Sequence, residues 1–198
     1  LTGCGGVVLI HVGDGDERLE LLRRACDGSE LPPTVFYPTH VNRSRALLEE
    51  AADWARSGGF VDVTVSTTPE LIAAGDIPAL EALDILATAG APLERVTLSS
   101  DAGGSLPLYV DGVLEGLVAA SPSSLPELLA EVPAGDRALY ERVLAALTAN
   151  PARALGIPAA GRISVGEGAD LLLLDDETGQ VRFVMGGGRW LLHDGMLA

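Results

Sequence analysis

Three residues of this chain could grip a cation between them: His11, His40 and Asp101. Each falls where an apolar run gives out, in "GVVLIHVG" (Gly6–Gly13), "TVFYPTHV" (Thr34–Val41) and "RVTLSSDAGGS" (Arg95–Ser105). Neutral imidazole is the commonest protein ligand for zinc-like metals, and an ionised carboxylate completes such a set. Taken singly, each is equally well a hydrogen-bonded polar residue at a strand end. Three on one rim favour a metal or catalytic site. Arg43 follows His40 by three positions and offers a planar, permanently charged fork for a substrate carboxylate, or an ion pair at a helix start. "SSDAGGS" (Ser99–Ser105) invites a phosphate-loop reading but lacks the Gly-Lys-Ser/Thr continuation. Its glycines are read instead as a sharp turn beside Asp101. His193 lies in a different kind of segment and is read as structural.

Regular alternation of elements must position these groups. Strands are expected at Gly6–Gly13, Thr34–Val41, Phe60–Thr67 and from Arg95. Helices are expected at Asp16–Cys26, Arg43–Gly59 and Pro78–Gly90, then over "LPELLAEV" and "DRALYERVLAALTANPARALGI". Four strands alternating with helices read as βα units and a parallel sheet, and near-continuous apolar strands fit a sheet covered on both faces. In a (β/α)8 barrel chemistry gathers at the C-terminal strand ends, and in an open doubly wound sheet ligands sit at the same ends. Both folds fit this pattern. After Ile163 the sequence changes to short apolar runs between glycine and acidic turns, read as antiparallel strands beginning near Ala169, Val181 and Trp190. The expected division is 1–162 for the βα units and 163–198 for part of a small β-module.

Composition bounds the function. The 198 residues carry a formal charge of −15, which argues against nucleic acid or an anionic membrane as partner. A hydrophobic content of 47% and a mean hydropathy of +0.30 suffice for a packed core. No apolar run reaches the ~18 residues of a transmembrane helix, and no signal peptide is visible. Cys4 and Cys26 have no metal or redox spacing, so reduced thiols in a cytoplasmic protein are expected.

With those residues laid out, "HVGDG", "PTHVNR", "TLSSDAGGSLP" and "NPARALGI…GRISVGEGADLLLLD" together resemble the bacterial isoaspartyl (β-aspartyl) dipeptidases of the metal-dependent amidohydrolase superfamily. "PTHVNR" with "SSDAGGS" is the specific part. The resemblance covers essentially the whole chain, and it implies the C-terminal half of a (β/α)8 barrel of amidohydrolase type, strands five to eight, followed by strands of a small β-sandwich. It also implies two zinc ions bridged by a carboxylated lysine, with His11 and His40 holding one ion and Asp101 the other. Asp101 would then move the proton between a metal-bound hydroxide nucleophile and the leaving amine. Arg43 would hold a substrate carboxylate, and Ser105 would contact the substrate near its aspartyl end. The implied reaction is hydrolysis of the isopeptide bond of a small β-aspartyl dipeptide, in a protein that forms a homo-oligomer.

This sequence departs from the family at Ala102-Gly103-Gly104, where a Gly-Asn-Gly type of turn is usual. The family's His-x-His pair and bridging lysine have no counterpart here; all thirteen basic residues are arginine. The expectation is a chain that begins before strand five, needs the other half of the barrel, and is inactive by itself. Two other readings stand beside it: an amidohydrolase acting on another cyclic amide or an N-acyl amino acid, and a non-catalytic barrel remnant used for binding or assembly.

Overall fold

Alternation along the strands separates two chemistries. In a computed structural model, which describes residues 6–110, 112–133, 135–157, 160–175 and 178–198, β3 (Val61–Thr64) is buried along its whole length. Its Val61 and Val63 pack with Val96 and Leu98 of β4 (Val96–Ser99) into the main apolar core. Asp62 and Thr64 face the other way. β3 and β4 pair in parallel, Asp62 opposite Thr97 and Thr64 opposite Ser99. β1 (Val8–His11) and β2 (Phe36–Thr39) form a second parallel pair with His11 opposite Thr39. Among the described residues no backbone ladder joins β2 to β3, although the two lie side by side. The expected single parallel sheet is therefore two pairs meeting at a seam.

Helices cover the apolar side. α1 (Glu20–Asp27) follows β1, and α2 (Arg45–Arg56) follows a single 3-10 turn at Val41–Arg43. α2 buries Leu47, Leu48, Ala51, Ala52, Trp54 and Ala55, the i, i+3, i+4 face of an amphipathic helix. Ser44 caps it by accepting from the Leu47 N–H at 3.2 Å. α3 (Pro69–Ala74) is a short helix the sequence pattern did not reveal, capped by Thr68. α4 (Ala79–Thr88) buries Ala79, Ala82, Leu83 and Leu86 against the same core.

Beyond β4, the stretch between the glycine loop and the helix expected at "LPELLAEV", for which the sequence suggests no element, holds an antiparallel hairpin, β5 (Ser105–Val110) and β6 (Val113–Ala119), with Leu114, Leu117 and Val113 exposed. α5 (Ser124–Glu131) then leads to what was read as one long helix and is two: α6 (Arg137–Leu147) and α7 (Ala149–Ala154). Pro151 has no N–H for the carbonyl of Leu147, so the helix breaks at Thr148. The helix expected from Asp16 begins only at Glu20, after Arg18 takes a left-handed φ of 42°. Asn150, buried on α7, donates to the carbonyls of Leu93 and Val96, each at 2.8 Å, and so anchors the start of β4. That contact gives the "NPARALGI" segment a physical job.

The tail forms one antiparallel sheet in the order β10-β9-β8-β7, from β7 (Leu171–Leu174), β8 (Val181–Gly186), β9 (Arg189–His193) and β10 (Met196–Leu197). Leu174 packs against the main core, while Leu172, Leu173, Leu191 and Leu197 are exposed. His193 sits edge-on to Phe183 and Trp190, a packing role. Cys26 is a free thiol; Cys4 lies outside the described residues. No helix among the described residues is long and apolar enough to cross a membrane.

Candidate metal centre

The three residues picked out by type and position meet at the seam. His11 ends β1, His40 follows β2, and Asp101 comes two residues after β4. One ligand atom from each lies within 4.8 Å of the others. His11 Nδ1 and His40 Nε2 are 2.7 Å apart, with ring centroids at 4.8 Å. Nitrogen and carboxylate oxygen converging in this way match the donor chemistry of zinc and its neighbours, so the residues present fit a divalent cation.

Backbone geometry helps to aim them. His40 and Asp101 both take left-handed conformations, φ 65° and 51°, uncommon for non-glycine residues and shared here by Arg18 and Asp194. The Asp101 turn closes through the Gly104 N–H donating to the Asp101 carbonyl at 2.7 Å. A Cβ on Gly104 would overlap the Asp101 carboxylate, so the glycine leaves that carboxylate its place. Ser105 comes next, exposed at the start of β5 and paired across the hairpin with Ala119.

His40 is buried, His11 exposed and Asp101 half-buried. Burial, then the Arg43 charge, pushes the His40 pKa below its ordinary value, and Asp101 offsets part of this. The ring is thus held neutral, the form that binds metal. Arg43 itself is exposed, and among the described residues no carboxylate lies within ion-pair distance of it. It acts on its surroundings at longer range: burial raises the Asp76 pKa, Arg43 pulls it back, and Asp14 adds to the rise. An ion pair at the helix start, the alternative use for Arg43, is not made.

Beneath the rim lies a polar layer that the sequence reading missed. Asp62, 3% exposed, accepts from Thr39 Oγ1, Thr97 Oγ1 and Ser99 Oγ, each at 2.6 Å. Tyr37 hydroxyl bonds Thr97 in turn, and burial pushes the phenol pKa above its ordinary value. These contacts run from β2 across to β3 and β4, so side chains stitch the seam that backbone bonds leave open. Ser100 turns inward to accept from the Ala102 N–H at 3.2 Å, and so serves the turn. The signal for Asp62 was available: a carboxylate set between valines in an alternating strand.

The amidohydrolase family profile matches residues 9–191, and the chain belongs to the amidohydrolase family. It is similar to the crystal structure of a beta-aspartyl dipeptidase from the thermophilic, keratin-degrading Fervidobacterium islandicum AW-1 in complex with a β-Asp-Leu dipeptide. The identity is 33% and the TM-score 0.83, over 100% of this chain and 50% of that one. A second crystal structure of beta-aspartyl dipeptidase from the same organism matches at 30% identity and a TM-score of 0.79, over 98% and 47%. An amidohydrolase from Thermotoga maritima MSB8, at 20% identity and a TM-score of 0.58 over 94% and 43%, shares the fold. The chain spans about half the length of these structures. Its four βα units are accordingly part of a (β/α)8 barrel of the amidohydrolase type.

Proposed function

We propose that this chain supplies the C-terminal half of the active site of a zinc-dependent hydrolase that cleaves the isopeptide bond of β-aspartyl dipeptides. The observation that carries the reading is the convergence of His11, His40 and Asp101 beside an arginine that, among the described residues, makes no close ion pair. Likeness to a dipeptidase at 33% identity supports the substrate class.

His11 and His40 would hold one cation, and Asp101 would hold the same ion or a second beside it. A divalent cation there supplies Lewis-acid polarisation of the scissile carbonyl and acidifies water. The Asp101 carboxylate, half-buried and aimed by its turn, takes a proton from the attacking water and returns it to the leaving amine nitrogen. Arg43 closes its fork on a substrate carboxylate, which orients the isopeptide bond and selects for it. Ser105 offers a hydroxyl next to the Asp101 turn. A second ion bridged by a carboxylated lysine would draw on residues beyond this chain, which contains no lysine.

The test is hydrolysis of β-Asp-Leu by the longest natural polypeptide that contains this sequence, compared with the 198-residue chain. Activity is expected in the first and not in the second. Arg43→Lys keeps the charge and loses the fork, so kcat/KM should fall on the order of 10²-fold with metal content intact. An unchanged kcat/KM in that variant would refute the role of Arg43, and turnover by the 198-residue chain alone would refute the need for a second half.

A further inference from the structure

The outer nitrogen of a metal-binding histidine decides which nitrogen faces the metal. In neutral imidazole one nitrogen carries a proton and the other a lone pair, so a group that accepts from one nitrogen frees its opposite for coordination. His40 Nδ1 lies 2.6 Å from Thr64 Oγ1, while its Nε2 is the atom beside His11. Thr64 is the last residue of β3, on the far side of the seam.

Asn42 fixes Thr64 in place. Its Oδ1 accepts from the Thr64 N–H at 2.9 Å, and its Nδ2 donates to the Thr64 carbonyl at 3.0 Å and the Ile77 carbonyl at 2.8 Å. A flipped amide would set its oxygen against two carbonyls and its nitrogen against an N–H, so this network allows one orientation only. The Ile77 N–H also donates to the Asn42 carbonyl, at 2.8 Å. Asn42, Thr64 and His40 are all buried, so water does not compete for these bonds. Thr64 is β-branched, which keeps its hydroxyl in a narrow range of directions.

We propose that Thr64, locked by Asn42, is a positioning residue that holds His40 as the Nδ1–H tautomer, so that Nε2 is the nitrogen offered to a divalent cation. The inference rests on the metal-site reading above and adds the groups that prepare His40 for it. It also assigns Asn42, polar and close in sequence to His40 and Arg43, to the scaffold rather than to substrate.

Two near-isosteric variants separate the hydroxyl from the packing. Thr64→Val keeps the branched shape and loses the acceptor; Thr64→Ser keeps the acceptor and loses a methyl. The His40 tautomer is read from long-range 1H–15N correlation spectra of histidine-labelled protein, and Zn2+ affinity from competition with a chromophoric chelator. Wild type and Thr64→Ser should show the Nδ1–H form and agree in affinity within a few-fold. Thr64→Val should gain the Nε2–H form and bind Zn2+ about 10- to 100-fold more weakly, at a similar Tm. A Thr64→Val protein with the wild-type tautomer and affinity overturns the role of Thr64. A wild-type protein that takes up no Zn2+, yet whose tautomer responds to Thr64→Val, overturns the metal site instead.

Discussion

Asp62 and Val63 are neighbours on β3 and equally hidden from water, yet they face opposite sides of the same strand. On the helix side, Val61, Val63, Val96 and Leu98 meet α2, α4 and α6 through contacts that have no direction. On the other side Thr39, Asp62, Thr97 and Ser99 meet through hydrogen bonds that each need one partner in one place. The apolar face can absorb a change of shape at graded cost. The polar face cannot, because each lost partner leaves a buried group unsatisfied. Placing the second face beneath the candidate metal centre gives His40 and Asp101 a rigid footing where, among the described residues, no backbone ladder crosses the seam.

The sharpest way to break this comparison is Asp62→Ala. Three hydroxyls lose a shared acceptor; Thr97 keeps the Val61 carbonyl at 3.2 Å as a substitute. At about 1–3 kcal/mol for each buried group left unsatisfied, the cost should be on the order of 3–5 kcal/mol, read from urea unfolding. Leu98→Ala on the opposite face should cost about 2–5 kcal/mol, and Leu98→Met less than about 1.5 kcal/mol. A conservative swap thus rescues the apolar face. If Asp62→Ala costs less than Leu98→Met, the polar layer is no scaffold and the contrast between the faces fails.

The same contrast explains what could be read from the sequence. His11, His40 and Asp101 were legible because each stands at the end of an apolar run, and parallel strands bring their C-terminal ends together. Asn42 was not legible as a clamp, because its partners Thr64 and Ile77 lie 22 and 35 residues away and nothing local distinguishes it from a surface polar residue. The partners of Asp62 are 23, 35 and 37 residues distant, so its burial was hidden even though its place in an alternating strand was visible. The β5–β6 hairpin was lost for a different reason. An Asp-Gly pair between apolar runs in the sequence is a hairpin signal, but Pro107 falls within the first run and the glycines before it suggest a loop. The tail strands, bounded by glycine and acidic turns, were plain.

Proton linkage probes the polar face with the smallest effect. Burial raises the Asp62 pKa, the hydroxyls of Ser99, Thr39 and Thr97 pull it partly back, and the Asp101 charge adds to the rise. A carboxyl whose folded pKa lies above its unfolded value holds a proton in the fold that the unfolded chain has already released. Its contribution to stability is therefore complete below the ordinary carboxylate pKa and is lost as pH rises through the folded value. Asp62→Asn keeps the shape and cannot titrate, so the wild-type unfolding free energy minus that of the variant isolates this one group. That difference should fall with rising pH by at most about 1.4 kcal/mol per pH unit and then level off. A difference that climbs with pH instead would mean that the three hydroxyl donors outweigh burial. The layer beneath the candidate metal centre would then be an anion site in its own right, and the charge of Asp62, rather than its shape, would be what holds the seam.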